Sequence, residues 1–102
     1  MDELPTLTTS GEMASILADR LRTLRLLAGL KRSTLAAKAD VSPASLKRFE
    51  TTGKTSLGNL LKLAHALGRL AEFEKLLPPP PAASIAELEE RSVRPIPKRG
   101  RR

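Results

Sequence analysis

From Glu12 to Ala28 the apolar side chains fall at Met13, Ile16, Leu17, Leu21, Leu24, Leu27 and Ala28. Steps of three and four residues put one apolar stripe on a helix, so this stretch predicts a first helix with a single inward face. Gly29 is free to adopt the left-handed conformation that ends it. A second, shorter helix follows over about 32–39, RSTLAAKA, with Leu35, Ala36 and Ala39 as a narrow apolar face. Asp40-Val41-Ser42 breaks that pattern. Ser42 followed by Pro43 is a strong helix start, because the serine oxygen accepts unpaired N–H groups and proline at the first position gives up no needed donor. A third helix is therefore expected over 43–50, with Leu46 and Phe49 inward.

Thr51 to Thr55 then reads as a connection, with Gly53 supplying the backbone angles of a tight turn. Ser56 caps a fourth helix whose inner side carries Leu57, Leu60, Leu61, Ala64 and Leu67. Gly68 closes it, and Leu70 to Leu77 predicts a short fifth helix. Pro78 to Pro81 stop the pattern and mark a boundary. Beyond them Ser84-Ile85-Ala86-Glu87 has the form of a capping box and predicts a last short helix over 84–92. No segment alternates in the manner of a strand. The expectation is an all-α fold, a compact bundle of about five helices. Residues 1–11 are read as a flexible N-terminus and 12–77 as the domain. Residues 78–102 are read as a proline-rich linker, a short helix and a basic tail.

With 102 residues, two Phe and no Trp, Tyr or Cys, the chain supports one small aliphatic core and no disulfide or thiolate metal site. No apolar run spans a bilayer, and the acidic start MDELPTLTTS is not a signal peptide, so a cytoplasmic protein is expected. The net charge of +7 is unevenly spread. Ten Lys/Arg against Asp40 and Glu50 lie in residues 20–62, and six bases with no acid lie in the final RSVRPIPKRGRR. Basic blocks of this kind point to a polyanion, commonly nucleic acid; the alternative is a merely solvated basic surface.

Catalytic candidates are weak by comparison. Gly53-Lys54-Thr55 resembles the end of a phosphate-binding loop, but the position that needs a glycine five residues earlier is Arg48, and the preceding segment reads as a helix. His65, the only histidine, has no cysteine with which to build a metal site. Glu72, Glu74, Glu87, Glu89 and Glu90 form acidic flanks without a nucleophile–base pairing. No enzyme, cofactor or metal is expected.

Two short helices joined by a three-to-four-residue turn make a helix-turn-helix unit. The run GLKRSTLAAKADVSPASLKRFETTGKTSLGNLLKLAHALG, residues 29–68, resembles the lambda-repressor-like (Xre-type) family. Leu35-Ala36, Val41-Ser42, Ser45-Leu46, Phe49-Glu50 and the leucine-rich fourth helix carry that resemblance. The short loop after Glu50, the continuation LGRLAEFEKLLPPPPAASIAELEERS and the basic end resemble more narrowly the HipB-type antitoxins encoded beside HipA-like kinase toxins.

The resemblance implies a dimeric, sequence-specific DNA-binding repressor of a palindromic operator, and more narrowly an antitoxin that represses its own operon. Two other readings stay open: a phage or restriction-type regulator with no toxin, and a protein-interaction adaptor that has lost DNA binding. The family pattern places Pro43, Ala44, Lys47 and Arg48 against the bases. Arg48 is the main candidate for direct readout, since a guanidinium bonds guanine O6 and N7 together. Phosphate contacts are implied at Arg32, Ser33, Ser42, Ser45, Lys54, Ser56 and Asn59, with backbone N–H groups at Ser56, Leu57 and Asn59 completing a clamp. Lys54 reads equally well as a solvated turn lysine.

Lys31-Arg32 stands where the family usually has Thr-Gln. Arg32 is expected to take over the phosphate contact, and the lost cap is expected either to pass to Ser33 or to delay the helix by a residue. Leu70, Phe73, Leu76 and Leu77 form an apolar strip read either as packing against the first helix or as a two-fold dimer contact. Arg94, Lys98, Arg99, Arg101 and Arg102 are read as a tail for the toxin, for DNA, or for neither.

Overall fold

A computed structural model describes residues 8–81 together with Ala86 and Glu89. Its elements are α1 (Ser10–Leu27), α2 (Arg32–Ala39), α3 (Pro43–Thr52), α4 (Leu57–Ala66) and a 3-10 helix (Leu70–Lys75), with no strand among the described residues. The all-α expectation holds. Ala86 and Glu89 are helical, as expected of 84–92. The rest of that element, the tail residues Arg94, Lys98, Arg99, Arg101 and Arg102, and residues 1–7 lie outside the described residues.

The first helix begins two residues earlier than its apolar pattern. Thr9 and Glu12 form a capping box: the Glu12 N–H donates to Thr9 Oγ1 at 3.1 Å and the Thr9 N–H donates to Glu12 Oε1 at 3.2 Å. Ser10 and Gly11, expected in a flexible N-terminus, are thus helical. Four short helices cannot bury their stripes alone, and they do so against each other. α3 packs on α1 and α2, α4 packs on α2, and the 3-10 helix packs on α4. Ala18, Leu21, Leu35, Ala36, Ala39, Val41, Leu46, Phe49 and Leu63 form one core. Leu35, Leu46 and Leu63 are wholly enclosed, each contributing about 1.5–3 kcal/mol by its removal from water.

Two expectations about inward faces and one about an element are corrected. Leu27 is 79% exposed and Ala28 is also exposed, because α1 turns Ala18, Leu21 and Arg25 inward instead. Leu57, the first residue of α4, is 68% exposed, and Leu63 is the enclosed leucine of that helix. The expected fifth helix is a 3-10 element that stops at Lys75, and none of its residues is fully buried.

Gly53 explains how α3 meets α1. Its φ of 78° is left-handed, and a Cβ placed there would lie 3.2 Å from the backbone carbon of Ala14 and the backbone nitrogen of Ser15. Only glycine satisfies both conditions. The helix before it runs to Thr52, two residues further than the expected end at Glu50.

Candidate nucleic-acid interface

The turn between α2 and α3 is fixed at both ends. Asp40 is left-handed (φ 56°, ψ 47°) and its N–H donates to the Ala37 carbonyl, while the Val41 N–H donates to the Ala36 carbonyl at 3.0 Å. Val41 is buried, which pins the turn to the core. Ser42 Oγ then accepts the Ser45 N–H at 3.1 Å, and Pro43 opens α3. Leu46 and Phe49 anchor that helix inward, so Pro43, Ala44, Lys47 and Arg48 lie on its exposed side.

Five of the residues expected at the DNA meet in one polar cleft. Ser45 and Arg48 from α3, Lys54 from the turn, and Ser56 and Asn59 from the start of α4 line it, joined by Thr55, which the sequence reading missed. The turn itself is braced: Thr52 Oγ1 donates to the Arg48 carbonyl at 2.6 Å and accepts the Lys54 N–H at 3.1 Å. Ser42 Oγ donates to Ser45 Oγ at 2.7 Å, which leaves the Ser45 hydroxyl proton directed elsewhere. Ser42 is therefore occupied as a cap. Asn59 corrects one expected donor, because its N–H is taken by Ser56 Oγ at 3.0 Å; only its side chain is offered to the cleft. The backbone N–H groups of Ser56 and Leu57 have no partner among the described residues.

At the other end of the unit, α2 begins at Arg32 with Lys31 as its N-cap and no side-chain cap. Neither expected remedy occurs, since Ser33 does not cap it and the helix does not start late. Arg32 instead joins an ion-pair network that the sequence reading did not foresee. Arg25 Nε and Nη2 donate to Glu50 Oε2 and Oε1 at 2.7 and 3.0 Å, and Arg25 Nη1 donates to the Leu30 carbonyl at 2.9 Å. Arg32 Nε donates to Glu50 Oε1 at 2.9 Å. The Glu50 side chain has no exposed surface and Arg25 is 6% exposed, whereas the Arg32 side chain is 37% exposed. Burial pushes the Glu50 carboxyl up, but hydrogen bonds and charges from Arg25 and Arg32 outweigh it and hold the group below its ordinary 4.5. One carboxylate thus ties α1, α2 and α3 together.

The geometry is that of two helices in a fixed turn with polar clusters at both ends. A family of helix-turn-helix domains matches residues 16–75, 60 of the chain's 102 residues. The chain belongs to that family. The match covers most of α1, the whole helix-turn-helix unit, α4 and the 3-10 helix, and it supports DNA binding and a regulatory role. No curated protein and no solved structure matches the chain. Among the described residues, no helix of this helix-turn-helix protein is long and apolar enough to cross a membrane.

The apolar strip is divided by the structure. Phe73 is half-buried and lines a groove with Leu17, Leu21, Leu24, Leu60, Ala64 and Leu67. Leu76 and Leu77 are 59% and 96% exposed, and Leu70 lies at the surface.

Proposed function

We propose that the protein is a sequence-specific DNA-binding repressor that docks α3 in the major groove as a dimer. The convergence of Ser45, Arg48, Lys54, Ser56 and Asn59 beside α3 carries this reading. A helix in the major groove needs side chains toward base edges on one side and phosphate ligands at its flanks, and the cleft puts cationic and hydroxyl groups at one flank. Arg48 reads a base, with Lys47 beside it, while Pro43 and Ala44 offer apolar contact such as a thymine methyl. Sequence-dependent duplex shape supplies the rest of the discrimination. Arg32 and Ser33 form the phosphate contact at the start of α2.

The dimer uses the strip of Leu70, Phe73, Leu76 and Leu77. The support is the exposure of Leu76 and Leu77, two large apolar side chains whose burial against a second copy is favourable. The finer reading is a HipB-like antitoxin that represses its own operon and holds a HipA-like kinase toxin through Arg94, Lys98, Arg99, Arg101 and Arg102. Its support is the resemblance after Glu50 and the six bases without an acid in residues 91–102.

The test is titration of the protein against duplexes tiled across the DNA upstream of its own gene. One tile is expected to bind about 10³-fold or more above scrambled DNA at physiological salt. Equal binding to all tiles would leave a DNA-binding protein without a specific repressor role. For the toxin, deletion of residues 82–102 is expected to abolish pull-down of the neighbouring kinase while leaving the operator bound; retained pull-down removes the tail from that role.

A further inference from the structure

We propose that Glu50 is a positioning residue for DNA binding: it fixes Arg32 by its Nε so that the outer edge of the guanidinium is presented, already oriented, to a phosphate. This inference rests on the DNA-binding reading and adds to it a role for a residue that touches no DNA.

A guanidinium has two hydrogen-bonding edges in one rigid plane. In Arg32 the Nε is held on Glu50 Oε1 at 2.9 Å, while Nη1 and Nη2 have no partner among the described residues. The Arg32 side chain is 37% exposed while the Glu50 side chain has no exposed surface, so Arg32 is held on a covered carboxylate and still reaches solvent. Glu50 is itself held on both sides, because Arg25 donates to each of its oxygens from α1. A solvent-exposed arginine normally sacrifices rotamer freedom when it binds a phosphate, and one already held by a buried carboxylate sacrifices less. Lysine can also donate to Glu50 and to a phosphate at once, but its three donors sit on one freely rotating nitrogen, so a bond to Glu50 leaves no second edge in a fixed plane.

The sign of the effect separates this role from simple electrostatics. Glu50→Gln removes a negative charge near a polyanion, so Coulomb's law alone strengthens DNA binding. Loss of a held Arg32 weakens it.

The experiment is fluorescence anisotropy with a random-sequence 20-base-pair duplex over a series of salt concentrations. It uses the full chain as wild type, Glu50→Gln, Arg32→Gln, Arg32→Lys and the double variant Glu50→Gln/Arg32→Gln. Each is first checked for helicity and melting so that binding is read on folded protein. Arg32→Gln is expected to weaken binding about tenfold and to lower the slope of log K against log salt by about one. Glu50→Gln is expected to weaken it about threefold to tenfold with the slope nearly unchanged, and to cause no further loss in the Arg32→Gln background. Arg32→Lys keeps the charge and the slope, yet is expected to bind several-fold less tightly.

Binding by Glu50→Gln equal to or tighter than wild type overturns the proposal. If that variant does not fold, Arg32→Lys decides alone, and wild-type affinity in it overturns the proposal. A wild-type protein that fails to bind the duplex even at low salt refutes the DNA-binding reading itself, an outcome distinct from either of these.

Discussion

Gly53 and Arg48 illustrate two kinds of dependence. At Gly53 an added methyl group meets both a left-handed φ and the backbone of Ala14 and Ser15 at 3.2 Å. Gly53→Ala is therefore expected to destabilise the fold by about 2 kcal/mol or more, read from denaturant unfolding. DNA affinity measured well below the melting temperature should fall less, unless α3 itself shifts. Arg48 is exposed and unpaired by any carboxylate among the described residues, so Arg48→Ala should leave stability unchanged within about 0.5 kcal/mol. On the operator it should cost about 1–3 kcal/mol and little on random DNA. Arg48 also lines the cleft that holds Lys54, and equal losses on both duplexes would assign it to the phosphates instead of the bases.

The helices themselves were largely legible because their starts and stops are made by local chemistry. Ser42 and Ser56 as caps, Pro43 at the first position, and Gly53 and Gly68 as left-handed stops all act within a few residues of their own position. Ser42→Ala should accordingly cost about 1 kcal/mol of stability, read by thermal melting. What was not legible depends on contacts distant in sequence. The inward turn of Arg25 has no signal in the apolar spacing of α1, since an arginine at that position reads as polar until Glu50, 25 residues later, is placed against it. Likewise Thr55 joins the cleft only once α3 and α4 are brought together. Leu27 and Leu57 fall on the inward face by spacing alone, because periodicity reports a face without reporting where the covering element ends.

The Glu50 network predicts how that packing responds to acid. Its carboxyl lies below 4.5 when folded, so the unfolded chain binds the proton more readily at low pH. The stabilisation is fully present above pH 4.5 and is lost as pH falls through the folded value. Thermal melts should show a plateau near neutrality and a decline below pH 4.5. Glu50→Gln should melt lower on the plateau, by the equivalent of about 3 kcal/mol, because it leaves Arg25 buried without its charge partner. Its acid decline should be shallower. An unchanged pH profile in the variant would show that other carboxylates, such as Glu72 beside Arg69, govern the acid limb.

For the molecule as a whole, the proposed repressor needs α3 as its reading helix, the polar cleft beside it as a flank of phosphate ligands and the apolar strip as a two-fold contact, all acting in two copies. Leu77→Asp should leave the monomer folded, since Leu77 is 96% exposed, while sedimentation equilibrium should show a shift from dimer to monomer. Operator affinity should drop with it, because two half-site contacts on one duplex reinforce each other through their linkage. A dimer that persists in this variant would place the two-fold contact elsewhere. Selection of duplexes from a random-sequence pool by the full-length protein bears on sequence-specific reading by α3 without further assumptions. The enriched sequences should be palindromic, with half-site centres one helical turn apart, about 34 Å, and Arg48→Ala should lose preference at one position in each half. A pool that stays random after repeated rounds, although the protein binds DNA, would contradict the account.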